Sequence, residues 1–389
     1  MSELLNGRWA ETKAALLEGL NGTRKSVMAV TLENTRKYLA ESATAGATSA
    51  GNVATLNRVI LPVIRRVMPT VIANEIVGVQ PMTGPVGQIH TLRVRYSDSY
   101  DNVVAGEEAL SPFKIATSYS GGGTDPDGKP TSTATLEGQA GRRMSVQILK
   151  QTVEAKTRKL SARWTFEAAQ DAQAQQGIDV EAEIMAALAQ EITTEIDQEI
   201  LQSLSTLAGA ATQTYDQSAV SGTATFVGDE HAALAVQINR VANLIAQRTR
   251  RGAGNWAVVS PLALTILQSA TTSAFARTTE GTFEAPTNTK FVGTLNNAMK
   301  VYVNTYASDS APVLVGYKGS SESDAPMFYC PYIPLMSSGV VLDPSTFEPV
   351  CSFMTRYGTA ELTNVASSLG NSADYLGKVA ITDAKVKFS

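Results

Sequence analysis

The chain has 389 residues, 43% of them hydrophobic and 17% charged, with a net charge of −4. That length supports two or three sub-domains around real cores, and the low charge density leaves uncharged surface for self-association. The negative balance excludes a global basic field that would draw in nucleic acid, no apolar run reaches membrane length, and no signal peptide with an apolar core is present.

Residues 3–41 carry an amphipathic helical pattern through Leu4, Leu5, Trp9, Leu16, Leu17, Leu20, Val27, Leu32 and Leu39, which Gly19 and Gly22 divide into two helices. Ser42 to Gly51 is a run of small residues that buries little and predicts a flexible linker, so the helical head is loosely tethered. Residues 53–77 are apolar again, in helix pieces limited by Pro62 and Pro69. Gly78 to Gly87 is rich in turn residues, and Ile89 to Tyr96 alternates as a strand. From Ser97 to about Arg143 the chain is polar and glycine-rich, a length of loop that is either functional or disordered. Val153 to Phe166 alternates with a one-residue slip, as one long strand with a bulge does. Two strands bracketing that polar loop predict an extended hairpin arm projecting from the body.

A short Ala/Gln helix at 167–176 leads into the longest periodic segment, Asp179 to Leu207. Val180, Ile184, Leu188, Ile192, Ile196, Ile200 and Leu204 recur every fourth residue, with Ala187 and Leu201 beside them and Asp179 as N-cap. A four-residue step overshoots a turn by about 40°, so the ridge winds around the helix and different layers cover it at different heights. Thr206 to Gly228 reads as a polar connection, Asp229 to Arg251 as a helix, Asn255 to Ser260 as a strand, and Ser260-Pro261 as the start of a helix to about Ser269. Thr271 to Asn297 is mostly polar loop; strands follow at Met299–Asn304, Pro312–Tyr317, Pro326–Ile333, Gly339–Leu342 and Val350–Tyr357. No internal repeat is present.

The motifs with possible chemistry have structural readings. Gly123-Thr-Asp-Pro-Asp-Gly128-Lys129 imitates a phosphate-binding loop, but Pro130 stands where a hydroxyl should hold magnesium, and no strand enters and no helix leaves, so it reads as a solvated loop tip. Asp125, Asp127, Glu107 and Glu108 lack the spacing of a calcium loop, which leaves a weak surface cation site as the alternative to a solvated acidic loop. Arg248, Arg250 and Arg251 suit the C-terminal end of a helix dipole first, a neighbouring subunit's carboxylates second, and nucleic acid last. His90 and His231 have no ligand or catalytic partner at a recognisable spacing. Cys330 and Cys351, the only cysteines, form neither a disulfide framework nor a zinc knuckle and fit a reducing cytosol; Cys330 lies in a packed strand. Nothing nominates an enzyme, a cofactor or a metal.

Asn74-Glu-Ile-Val-Gly-Val-Gln-Pro-Met-Thr-Gly-Pro-Val-Gly87 strongly resembles a passage in the major capsid proteins of T-even-like tailed bacteriophages. Four further passages agree in the same order: Val153–Leu160, Thr249–Asn255, Val315–Gly319 with Met327–Pro334, and Phe353–Gly358. The match spans nearly the whole chain. It implies an α+β, Hong Kong 97-like capsid fold with a long spine helix, an extended loop, a peripheral and an axial domain, and an N-terminal arm. Mapped onto this chain, 1–41 would be scaffold-associated helices or a propeptide, and 42–96 the linker, N-arm and start of the peripheral domain. The extended loop would be 97–145, 146–212 the peripheral domain with the spine, 213–338 the axial domain, and 339–389 the return to the peripheral domain.

The resemblance also implies a function: a structural subunit that forms hexamers and closes an icosahedral head of the myovirus kind around double-stranded DNA without binding it specifically. Its partners would be copies of itself, including pentamers, the scaffold and prohead protease during assembly in the host cytoplasm, and vertex, portal and decoration proteins. There would be no membrane and no cofactor. The family protease cuts after a hydrophobic-x-Glu sequence, which Leu39-Ala40-Glu41 ahead of Ser42 fits; Leu16-Leu17-Glu18 also fits, but lies within a helix. Candidate intersubunit contacts are Glu107, Glu108, Lys129, Arg142 and Arg143 in the loop, Arg248, Arg250 and Arg251 at the basic corner, and Arg58, Arg65 and Arg66 in the arm. The T-even protein carries a large insertion domain for which the loop here is too short. An encapsulin-type compartment of the same fold and a nucleotide-dependent enzyme are the rival readings.

Overall fold

The structure, a computed structural model, describes residues 9, 13, 14, 17, 22, 25–34, 71–100, 103–107, 109, 119, 120, 130, 132–137, 141–176, 179–217, 227–249, 251–270, 275–277, 290–296, 298–320, 324–346, 348–361 and 372–383. It divides into two compact units, one of 1–87, 152–201 and 328–360, the other of 88–151, 202–327 and 361–389.

The first unit is built on a four-stranded sheet in the order β1 (Gly78–Val79), β11 (Met327–Leu342), β12 (Pro349–Glu361) and β4 (Lys156–Arg163). β1 runs parallel to β11, and β4 antiparallel to β12. The long helix, Val180–Leu207, begins as the spacing predicts: the Asp179 carboxylate accepts from the backbone N–H of Glu181 and Ala182 at 3.1 and 3.4 Å. Its early turns are largely exposed, Ala187 included, whereas from Ile192 to Leu204 burial spreads over Ile192, Thr193, Thr194, Ile196, Asp197, Ile200, Leu201 and Leu204. The four-residue ridge thus winds into full cover, and the Asp197 carboxylate accepts the Ile72 N–H at 2.9 Å.

The second unit holds a seven-stranded mixed sheet in the order β5 (Gln213–Asp216), β13 (Leu376–Asp383), β10 (Val313–Gly316), β6 (Trp256–Val259), β9 (Met299–Val303), β8 (Lys290–Leu295) and β7 (Phe275–Arg277). The helices Val227–Thr249 and Pro261–Ser269 cover one face, packing Leu234, Ile238, Val241, Ile245, Ala263, Ile266 and Leu267 on Ala257, Val259, Val301, Val303, Val313, Val315 and Val379. Ser260 caps the second helix by accepting from the Ala263 N–H at 3.3 Å. Each Val, Leu or Ile side chain so buried contributes about 1.5–3 kcal/mol. A separate two-stranded sheet pairs β2 (Val86–Tyr96) with β3 (Met144–Glu154).

Several expectations are corrected here. Residues 339–389 do not stay together in one sheet: β12 lies in the four-stranded sheet, but β13 lies inside the seven-stranded sheet, antiparallel to β10 and parallel to β5. β5 occupies part of the expected connection, and β7 and β8 part of the expected 271–297 loop. The two strands expected at 326–333 and 339–342 are one strand, β11. The slip expected near 157–160 is a break at Ala155, whose N–H leaves the ladder and donates to Pro85 O at 2.9 Å, so β3 and β4 join different sheets. The predicted break at Gly22 agrees with its φ of +60°, in the left-handed region that glycine tolerates.

Candidate assembly surface

The β2–β3 ribbon stands out for what it exposes. Met144, Val146 and Ile148 are 51%, 64% and 68% exposed, on alternate positions and therefore on one face of β3. The residues between them, Ser145 and Gln147, are exposed as well, so neither face of this stretch is covered within the chain. A two-stranded ribbon without a covered face is marginally stable by itself. A second apolar row, Val340, Val341 and Leu342, ends β11 at 39–56% exposure.

The end of the loop is held by its own small core, in which Tyr96, Val103, Ala109 and Tyr119 are buried and the rings of Tyr96 and Tyr119 lie 4.5 Å apart. Arg142 and Arg143, read from sequence as intersubunit candidates, have work inside this loop. The Arg142 guanidinium sits 3.2 Å over the Tyr100 ring and donates to Tyr119 O at 2.8 Å. Arg143 donates its backbone N–H to the Asp98 carboxylate at 2.8 Å and pairs its guanidinium with it at 3.5 Å. The backbone donation leads the contacts that hold the Asp98 carboxyl below its usual range. Glu107 accepts from Val104 N–H at 3.2 Å. At the basic corner Arg251 pairs with Asp324 at 2.7 Å, and Arg248 is half-buried in the last turn of its helix. Leu39, Glu41, Ser42, Arg58, Arg65, Arg66, Glu108, Lys129, Arg250 and the phosphate-loop imitation at 123–129 lie outside the described residues.

His90 is exposed on β2. His231 is buried, its Nδ1 in hydrogen-bond contact with the Ser269 hydroxyl, and burial pushes its titration down. Burial pushes the Cys330 thiol up to about 11, as a packed, unreactive cysteine requires. Among the described residues no three His, Cys, Asp or Glu converge as a metal needs, and no helix is long and apolar enough to cross a membrane.

Sequence reasoning missed the strongest polar cluster. Arg158 on β4 forks to Glu195 at 2.7 Å and Glu199 at 2.5 Å, two carboxylates one turn apart on the long helix, and donates Nε to Tyr357 Oη at 2.6 Å. Tyr357 in turn donates to Glu199. Burial opposes ionisation of Glu199, but these donors outweigh it and hold its carboxyl below the ordinary value. Arg158→Met is expected to cost about 2 kcal/mol, less than a fully buried pair because the cluster is about a third exposed. Because the folded-state value is lowered, Glu199 contributes its stability above its unfolded value and loses it as pH falls through the folded one. Chemical denaturation of wild type and variant should therefore converge in acid; a constant gap from pH 7 to pH 3 contradicts the assignment.

Apolar side chains aligned on a ribbon that its own chain leaves bare form a surface suited to a partner. The comparisons identify which kind. The chain belongs to the family described as major capsid protein Gp23, whose model matches residues 53–140 and 116–381. It is 30% identical to the major capsid protein of Vibrio phage KVP40, over 84% of this chain and 80% of that one. It is likewise 30% identical to that of Enterobacteria phage T4, over 82% and 78%. Among solved structures, one titled Mycobacterium phage Bobi aligns with a TM-score of 0.48 at 15% identity, covering 80% of this chain and 90% of that one. The capsid of Myoviridae phage XM1 aligns at 0.43 with 10% identity, covering 79% and 89%. Family membership bears out the capsid identity and the α+β capsid fold expected from the resemblance. The chain is a tailed-phage major capsid protein, a structural component of the virion head.

Proposed function

We propose that the subunit forms hexameric capsomers that close an icosahedral head around packaged double-stranded DNA, with the β2–β3 ribbon as the strap that lies on a neighbouring copy. The observation that carries this is the bare apolar row Met144, Val146 and Ile148. Each such side chain, once covered, contributes up to about 1.5–3 kcal/mol, and the contact repeats at every subunit of a closed shell, so modest contacts sum. Arg143 and Arg251, exposed while paired within their own chain, are with Arg142 and Glu107 among the charged groups that would meet a neighbour.

In this reading the long helix is the spine, the four-stranded sheet belongs to the peripheral domain and the seven-stranded sheet to the axial domain. Arg58, Arg65, Arg66, Glu108, Lys129, Arg248 and Arg250 complete the contact set. The segment ending at Glu41 is cut by a prohead protease, and scaffold, portal, vertex and decoration proteins act in the host cytoplasm. The subunit works by packing and shape, with no reaction of its own. Negative-stain electron microscopy of the chain expressed with and without a scaffold tests it. Hexagonal sheets, tubes or shells are expected; a persistent monomer at high concentration under both conditions contradicts it.

A further inference from the structure

Residues 25–34 are helical and present one buried stripe: Val27, Met28, Thr31 and Leu32 are at most 4% exposed. The stripe ends on Asn34, itself 5% exposed. The Asn34 carboxamide nitrogen donates to Met82 O at 2.6 Å and to Tyr332 O at 3.1 Å. Those carbonyls belong to adjacent strands, because the parallel pairing of β1 with β11 continues through Gln80 N–H to Tyr329 O and Met82 N–H to Pro331 O, both at 3.0 Å. Asn34 thus spends both amide hydrogens where that ladder runs out. Thr31 turns its hydroxyl onto Met28 O of its own turn at 3.0 Å. Trp9 Nε1 and Lys13 Nζ both reach the Glu33 carboxylate at 3.3 Å and fasten the preceding helical residues to this one. A head tethered only by its linker would show none of these contacts.

We propose that the end of the β1–β11 ladder is a helix-docking site, that the chain fills it with its own residues 25–34, and that this helix stays bound as a noncovalent ligand after the backbone behind it is cut. The ligand class is an amphipathic helix with a Val-Met-x-x-Thr-Leu face closed by a side-chain carboxamide. Release of the N-terminal segment is then a second step, separate from cleavage. Only the timing of the cut rests on the processing reading above; the docking does not.

The test places a site for a sequence-specific protease within 42–51 of the full chain, cuts the purified protein and follows the fragment by native gel filtration. The fragment should co-elute with the remainder and be displaced by an excess of synthetic peptide of residues 22–38. Asn34→Ala removes the donor to the Met82 and Tyr332 carbonyls and should release the fragment at least 10-fold faster; Asn34→Asp, which replaces donors by acceptors, should release it faster still. Separate elution of the unmutated fragment, or equal release by all three chains, overturns the proposal. If the variants do not fold, hydrogen exchange of the uncut wild-type chain decides: amides of 28–34 should exchange at least 10-fold slower than in the free peptide, and equal rates overturn it. Absence of a cut at Glu41 in phage particles would remove the processing reading and leave the docking result as it stands.

Discussion

Ile148→Asp is expected to leave the subunit folded and stop it building shells. Ile148 is 68% exposed, so the substitution removes almost no intrachain packing and should shift the melting temperature by no more than about 2 °C. If the ribbon is covered in an assembled shell as proposed, an unpaired carboxylate at this position costs several kcal/mol at every copy. Sedimentation of the variant should show subunits or small oligomers under conditions where wild type gives particles, with particle yield down at least 10-fold. Val146→Asp, on the same face, should behave alike; Ser145→Asp, on the opposite face of the strand, should retain assembly. Wild-type particle yield from Ile148→Asp would remove the ribbon from the interface.

Gly316→Val is expected to have the largest effect on folding. Gly316 lies directly opposite Trp256 in the β10–β6 pairing, and a Cβ placed there falls well inside contact distance of the indole ring. Trp256 is 2% exposed, in a strand buried on both faces, so the ring has nowhere to move. Overpacking of this kind costs about 3 kcal/mol, or roughly 10 °C in melting temperature, which calorimetry of the unassembled subunit measures. A melting temperature within 1 °C of wild type would mean that the indole can move aside.

The same sheet shows why part of the fold was legible and part was not. The long helix announced itself because its ridge residues are large and regularly spaced, and burial follows them from Leu188 through Leu204. β13 was hidden because its covered face reads Gly377, Val379, Ile381. The first of these has no side chain to signal alternation, and the space it leaves is filled by Val241 from the covering helix. β11 was read as two strands, 326–333 and 339–342, yet it runs unbroken through Pro334, a residue with no N–H to give to a ladder. Loop composition masked the ribbon's apolar row: Met144, Val146 and Ile148 alternate, but they follow a polar, glycine-rich stretch that drew attention to its charges. Those charges then proved to be engaged at home, Arg142 on Tyr100 and Arg143 on Asp98.

The Arg158 cluster and Asn34 were beyond reach for a different reason. Each depends on partners far along the chain, Tyr357 at a separation of 199 residues and Tyr332 at 298, and neither carries a local pattern. Single polar residues that close a contact between distant segments leave no periodicity to read. The family, by contrast, was readable, because ordered passages such as Asn74–Gly87 resemble those of the family.

Photo-crosslinking tests most directly whether copies join through the ribbon. A photoreactive residue at Val146, 64% exposed in the lone chain, is irradiated in assembled particles and the products are run under denaturing conditions. Bands at twice the subunit mass and above, with Val146 joined to a peptide of a second copy, are predicted. Adducts confined to single chains in intact particles would contradict it.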